Sequence, residues 1–266
     1  MRIGLIGDTH GYVPALEAAL EGCRTAGTDV IVHCGDFLSS PFSPDPPGET
    51  IDLLRTAGVR AVAGNGEAYV RDWGTPRWDA TIALRRQRPD SPDHWLPSVP
   101  AGQAELTADD LAWLRRVPEE LLLDGARPGD LYVCHAMPGN PFTTIWDTDP
   151  QFTPDIPQEQ RDTALTRPDV ANADLILCGH VPYPLVQRTR LPNGRTALVV
   201  RGTGYLRGQG DEWWTDYVLL THRGPLTAAY GAWEISRRLV PFRPRDPSWT
   251  WDQPSRRDTP SSQASR

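Results

Sequence analysis

The sequence predicts an α/β protein whose sheet strands are buried on both faces. Two observations carry that expectation. Five short runs rich in Val, Ile and Leu each end at a polar, ligand-capable residue, and helix-like stretches separate several of them. The runs are residues 2–7 before Asp8, 30–35 before Asp36, 59–64 before Asn65, 130–134 before His135 and 174–179 before His180. In open α/β sheets ligands collect beyond the carboxyl ends of strands, which is where all five polar residues fall.

The elements follow in order. Residues 14–26 carry Leu16, Ala19, Leu20 and Cys23 at the spacing of an amphipathic helix, with Pro14 near its start; residues 50–57 form a shorter candidate. Residues 107–117 read as a helix opened by Thr107 as N-cap, with Asp109 and Asp110 in its first turn. Strand-like runs follow at 185–190, 196–201, 214–221 and 226–235, punctuated by Asn193-Gly194 and Arg223-Gly224. The second half is thus expected to supply its own, more antiparallel sheet. Three long Pro- and Trp-containing connections, 37–48, 69–103 and 136–158, follow strand ends and are expected to act as lids or substrate walls. From Arg243 the chain is rich in Pro, Ser and Arg without apolar period. The expected domain therefore spans 1–240, and 241–266 is expected to be a disordered tail, with Trp249 and Trp251 as docking points.

Composition narrows the chemistry. The 266 residues carry 34 acidic and 27 basic side chains, a net charge of −7. Every basic residue is Arg, so a Schiff-base lysine and a phosphate-loop lysine are excluded. The first apolar stretch stops at Asp8, too early for a signal-peptide core, and no run approaches the roughly 18 apolar residues of a membrane span. The expectation is a cytoplasmic protein without membrane partners. Cys23, Cys34, Cys134 and Cys178 are widely separated, which fits buried thiols better than disulfides or a zinc knot. An acidic body does not gather long nucleic acid by bulk charge, so an anionic substrate needs a local positive centre.

Asp8 and His10 in GDTHG, Asp36 in CGD, Asn65 in GNGE, His135 in CHAMPGN and His180 in CGH form a mixed oxygen and nitrogen set without thiolate. Such a set suits Mn, Fe, Zn or Ni better than Ca or a soft metal. One carboxylate can bridge two cations, and a pair of divalent ions can hold a hydroxide and clamp a phosphate for in-line attack. Gly7, Gly35, Gly64 and Gly179, each just before a ligand, are expected to let the backbone turn sharply.

These blocks, in this order, resemble the calcineurin-like metallophosphoesterase superfamily, whose pattern runs D-x-H, G-D, G-N-H-[DE], H and G-H-x-H. More narrowly, the chain is similar to the small single-domain phosphodiesterases of bacteria and archaea. The resemblance covers residues 1–223, and residues 199–205 resemble the family's glycine-containing strand end. It implies a four-layer α/β/β/α sandwich of two mixed sheets flanked by helices, and two divalent metal ions. By that resemblance Asp36 bridges the ions, Asp8 and His10 hold the first, and Asn65, His135 and His180 hold the second. Asp36, Asn65 and His135 are the expected catalytic residues, and the expected substrate is a small phosphodiester, nucleotide-derived ones included. The oligomeric state is left open.

Two departures matter. Pro182 stands where the pattern has its second histidine, which leaves the first ion fewer ligands and a weaker site. Gly66 stands where many phosphomonoesterases carry a histidine that protonates the leaving group, and its loss favours a phosphodiester or activated ester. The alternative reading is a degenerate, non-catalytic relative that binds a nucleotide or partner through the same pocket. A dinucleotide-binding oxidoreductase fits poorly, because Gly4, Gly7 and Gly11 do not have the fingerprint spacing.

Other residues have plainer readings. Asp8 and Asp36 can each cap a helix, and His33, inside an apolar run, is expected to be a strand histidine without metal. His94 and His222 sit in loop-like surroundings, although His94 is placed to replace the missing acid. Trp73, Trp78, Trp95 and Trp146 either stack a nucleobase or pack the lids. Glu67 and Asp147 are candidates for a surrogate metal oxygen. Arg201 and Arg207 can reach a phosphate, with ordinary surface charge the plainer expectation.

Overall fold

A computed structural model describes residues 1–38, 45–87, 96–123, 131–146, 156–204, 207–209, 212–223 and 233–245. The chain runs β1 (Arg2–Ile6), α1 (Val13–Thr25), β2 (Val30–His33), α2 (Pro47–Thr56), β3 (Arg60–Ala61), α3 (Asn65–Asp72), α4 (Trp78–Arg85), α5 (Val99–Ala104) and α6 (Ala108–Leu114). It continues through β4 (Glu120–Leu123), β5 (Leu131–Cys134), α7 (Gln158–Thr166), α8 (Pro168–Ala171), β6 (Leu175–Cys178), β7 (Leu185–Arg190), β8 (Thr196–Arg201), β9 (Arg207–Gln209), β10 (Glu212–His222) and β11 (Trp233–Phe242).

Strands alternate their side chains between faces, and here both faces are apolar. Ile3 and Leu5 of β1 and Val32 of β2 pack, with Cys34 and Val62, against Leu131, Val133, Leu175, Leu177 and Val200 of a second sheet. The opposite face of the first sheet, with Ile6 and Ile31, meets Leu16, Ala19, Leu20 and Cys23 of α1 and Ile51 and Leu54 of α2. The outer face of the second, with Tyr132, Ile176 and Val199, meets Ala164 of α7 and Val170 of α8. The result is the expected order of helices, sheet, sheet, helices. The stripe read along α1 is the buried stripe, and Thr107 caps α6 in a reciprocal box with Asp110.

The first sheet has the order β11-β10-β1-β2-β3, with β9 also on β10; the second has the order β4-β5-β6-β8-β7. β1, β2 and β3 are parallel, as are β5, β6 and β8, so the carboxyl ends of both sets can share one rim.

Two expectations are corrected here. The second half does not keep its antiparallel strands to itself: β10 pairs with β1, so the β10–β11 hairpin completes the first sheet. Of the strand expected at 226–235, residues 226–232 lie outside the described residues, and the described strand runs Trp233–Phe242, past the expected end. The described residues of the connection 69–103 include α4 and α5 rather than loop alone, and there Trp73 and Trp78 meet edge to face at 4.7 Å and pack with Tyr69, Val99 and Phe142. Residues 39–44 of the connection 37–48, together with His94, Trp95, Asp147, Gly224 and the tail from 246, lie outside the described residues. All four cysteines are buried thiols. Among the described residues no helix is long and apolar enough to cross a membrane.

The far end of α3 is fixed by ion pairs. Arg71 donates to Asp72 from Nε (2.7 Å) and Nη2 (2.9 Å), and Nη2 also reaches Glu119 at 2.7 Å. Asp72 also accepts from Thr81 at 2.6 Å, and its side chain is 1% exposed. Removing one partner of a buried pair strands the other charge. Asp72→Ala is expected to cost about 3 kcal/mol in a urea melt; a loss below about 0.5 kcal/mol contradicts the burial of this pair.

Candidate metal centre

Within each sheet, main-chain hydrogen bonds continue the pairing past the strand ends into the loops that carry the predicted ligand residues. Asp8 N–H donates to Gly35 O (3.0 Å), His10 N–H to Asp36 O (2.8 Å) and Gly179 N–H to His135 O (2.7 Å). Gly202 N–H donates to Cys178 O at 2.8 Å. Among the described residues, the non-glycine residues with positive φ are Asp8 (52°), His10 (48°), Asp36 (52°) and His180 (73°). Each is a residue singled out as a ligand. The left-handed region costs an L-residue roughly 1–2 kcal/mol, and such strain gathers at functional sites.

This corrects the expected role of the glycines. Of the four preceding glycines only Gly35 has a positive φ, at 88°, so at the other three the ligand-bearing loops turn without it. What the others supply is room: a Cβ at Gly64 would stand 2.3 Å from Asp36 Oδ1, and one at Gly179 2.8 Å from Asp8 Oδ2.

The predicted side chains converge in two overlapping groups, Asp8 with His10 and Asp36, and Asp36 with His135 and His180. Within each group one ligand atom per residue lies within 4.8 Å of the others. Asp36 belongs to both. Asn65, the first residue of α3, joins the second group: its Oδ1 lies 3.1 Å from His135 Nε2 and 3.0 Å from His180 Nδ1, and those two nitrogens are 3.2 Å apart. His135 Nδ1 faces the Cys34 carbonyl at 2.7 Å. A carbonyl only accepts, so Nδ1 carries a proton, and Nε2 faces the cluster, where it would be the ligand atom for a bound cation. Converging lone pairs of oxygen and nitrogen beside two carboxylates fit a divalent cation of the Mn, Fe, Zn or Ni type. The residues present therefore suit the expected ions.

Electrostatics sharpen this. Burial pushes the Asp8 carboxyl up to about 7, helped by the Asp36 charge and opposed by His135, the His180 N–H and Arg201. Burial also acts to raise Asp36, but the charge and hydrogen bond of His135, then His10 and the Gly66 N–H, outweigh it and hold the carboxyl well below the usual range. Burial acts to lower His135; Asp36, whose Oδ2 is 3.5 Å from Nε2, outweighs it, with Asp8, and lifts the ring to about 9. His10 is lowered by burial. The helix-cap reading of Asp8 fails, because the first N–H of α1, that of Val13, goes to Asp45 and the Asp8 carboxylate accepts from His180 N–H. Asp36 does take one N–H of α3, that of Gly66 at 2.7 Å.

Glu67 is not a metal oxygen. Its carboxylate accepts the main-chain N–H groups of Asp36 (2.7 Å), Leu38 (2.6 Å) and Gly64 (2.7 Å), stapling the loop after β2 to the start of α3. Burial, then the Asp36 charge, pushes it up to about 8. The acid three residues after the N-cap in GNGE is a capping-box signal from which the staple is readable.

Other residues fall elsewhere. His33 is buried in β2 with Nε2 3.1 Å from Thr9 Oγ1, so it braces the loop between Asp8 and His10 without joining either group. His222 lies in β10 against Trp233 rather than in a solvated loop. Trp146 is buried, donating from Nε1 to Ala136 O at 2.8 Å, so it packs its loop onto the body. Arg201, expected at the surface, is 1% exposed. At Gly66 a Cβ would stand 2.7 Å from Leu38 O, so a side chain there needs a backbone shift.

Glu67→Ala strands three buried donors and is expected to destabilise by about 2–4 kcal/mol, with Glu67→Gln milder; equal melting of Glu67→Ala and wild type contradicts the staple. His33 supplies a pH test. Burial pushes it down to about 3, against an ordinary 6.5, so below 6.5 the unfolded chain takes the proton first. Its contribution is complete above pH 6.5 and is lost as pH falls toward 3. His33→Asn is therefore expected to be less stable than wild type at pH 7.5, with the gap narrowing at pH 5; parallel stability curves contradict this.

Comparison with known proteins agrees with the geometry. A family model described as the calcineurin-like phosphoesterase superfamily domain matches residues 1–221. A metallophosphoesterase from Sphaerobacter thermophilus has a similar fold, with a TM-score of 0.55 and 21% identity over 91% of this chain and 90% of that one. Hypothetical protein PH1004 from Pyrococcus horikoshii OT3 gives 0.59 and 18% over 91% and 88%. A short stretch of 39 residues is 38% identical to Phosphodiesterase MJ0936 of Methanocaldococcus jannaschii, spanning 15% of this chain and 24% of that protein. The chain belongs to the calcineurin-like phosphoesterase superfamily.

Proposed function

We propose that this phosphoesterase is metal-dependent and hydrolyses a small phosphodiester, nucleotide-derived esters among its substrates, using divalent ions held by Asp8, His10, Asp36, Asn65, His135 and His180. The observation that carries the reading is the meeting of Asn65 Oδ1, His135 Nε2 and His180 Nδ1 within 3.2 Å of one another, beside the Asp36 carboxylate. Bound ions, manganese foremost, supply Lewis-acid neutralisation of the phosphate charge and an activated water.

The chain's own groups set the geometry. Asp36 faces both halves of the centre and is held from three sides, by the Gly66 N–H on its carboxylate, by His135, and by Glu67 on its main-chain N–H. The Cys34 carbonyl fixes the His135 ring with Nε2 inward, and the His180 N–H holds the Asp8 carboxylate. With Leu38 O closing the space at Gly66, the start of α3 offers no side-chain acid to the leaving group. That favours esters whose leaving group departs without strong protonation. An acidic chain without lysine favours a small ester over a long polynucleotide, and four buried thiols suit the cytoplasm.

The test is hydrolysis of a chromogenic phosphodiester with added Mn²⁺ or Ni²⁺. Asp36→Asn is expected to lower turnover on the order of 10²-fold or more, and a chelator to abolish it. Turnover that persists in either case contradicts the reading.

A further inference from the structure

β11 is the outer strand of the first sheet, hydrogen-bonded to β10 on one side and, among the described residues, to no strand on the other. Such an edge offers unused main-chain donors and acceptors to another strand. Its side chains alternate between the two faces of the sheet. Glu234, Ser236, Arg238 and Val240 line, with Tyr217 and Leu219, an open groove of about 730 Å³ beside α1. Trp233 and Ile235 pack toward the second sheet, and Leu239, farther along that face, is 56% exposed. The charges of the strand are not equally committed. Arg237 is paired with buried Asp216, whereas Glu234, 54% exposed, pairs with Arg223, which is 75% exposed. An exposed pair of that kind is worth little and is readily exchanged. Arg238 is exposed and makes no ion pair among the described residues.

We propose that β11 pairs antiparallel with β11 of a second copy of this chain, about a two-fold axis at Ser236, so that the first sheet runs on from one copy into the other. In that register Glu234 lies opposite the partner's Arg238, and symmetry supplies the same pair again on the far side of the axis. On the other face Trp233 meets the partner's Leu239, which covers the exposed leucine. Opposite charges and apolar pairs set directly across a ladder stabilise it, and like charges so placed destabilise it. Moving the axis to Arg237 sets that arginine against its own copy, and moving it to Ile235 leaves Glu234 opposite a serine. The charges therefore select one register. Pro241, which cannot donate to a ladder, falls outside the paired run from Trp233 to Leu239. The axis keeps both α1 helices on one side of the joined sheet, so the two grooves meet across the seam.

The experiment is sedimentation velocity on the full chain over a concentration series, with wild type, Glu234→Arg, Arg238→Glu and the double variant that carries both changes. Wild type is expected to form a reversible dimer. Each single exchange sets like charges opposite one another and is expected to weaken dimerisation by about tenfold or more. The double exchange restores opposite charges and is expected to return to within about threefold of wild type. Ser236→Cys, on the axis, is expected to couple one copy to the other through a short bis-maleimide, because the four native thiols are buried. If circular dichroism shows an exchanged variant unfolded, this cross-link decides. A wild type that stays monomeric at every concentration, which leaves the edge to some other strand, overturns the proposal. So does a dimer indifferent to the single exchanges, a double variant no better than either single, or Ser236→Cys that does not cross-link. None of these residues belongs to the candidate metal centre, so such a failure leaves that reading untouched.

Discussion

Two carboxylates, Asp8 and Asp36, are buried within a few ångströms of each other, and much of the molecule is arranged around that fact. Like charges so placed repel strongly in a medium of low polarity, and each also resists leaving water. The strain shows in their opposite behaviour: Asp8 is pushed up to about 7, whereas Asp36 is held well below the ordinary range. Asp36 is favoured because the charge and hydrogen bond of His135, then His10 and a helix N–H, face it; at Asp8 the His135 charge, the His180 N–H and Arg201 do not outweigh burial and the Asp36 charge. A cation between the two would relieve both penalties at once, which is why the donor set reads as a candidate metal centre rather than as a structural ion pair.

The scaffold supplies this arrangement through ordinary means. Parallel strands bring their carboxyl ends to one rim, and the loops beyond them stay paired main chain to main chain for another residue or two. Left-handed backbone at Asp8, His10, Asp36 and His180 then re-aims the side chains. The strain of those four conformations is borne by two tightly packed sheets and by the Glu67 carboxylate, which ties two N–H groups of the loop after β2 to one at the start of α3. The geometry of the candidate centre is thus a property of loop ends whose freedom has been removed by the sheets beneath them.

Much of this was legible in the order of residues, and the reason is locality. An apolar run and the polar residue that ends it are adjacent in sequence, so strand and ligand are read together, as at Leu175–Cys178 and His180. The amphipathic stripe of α1 and the Thr107 cap are likewise local patterns. What was misread depends on distant partners. Nothing near residue 216 announces that β10 lies beside β1, and nothing near residue 201 shows that its guanidinium is covered on all sides. The helices between 69 and 103 were hidden by Pro and Trp, whose positions make sense only once Trp73 has met Trp78 and Tyr69 has met Phe142. Glu67 was visible as an acid near the ligands, but its three backbone partners come from a loop thirty residues earlier and from the preceding turn.

The departures at Gly66 and Pro182 belong to the same economy of space and charge. The first leaves room that the Leu38 carbonyl occupies, and the second removes a neutral donor beside a covered arginine. Whether the six side chains do share cations is answered most directly by anomalous scattering from a crystal grown with Mn²⁺. The account predicts a peak about 2.0–2.2 Å from the Asp36 carboxylate, His135 Nε2 and His180 Nδ1. A fully loaded crystal with no peak among those atoms, or with manganese only elsewhere, would contradict it.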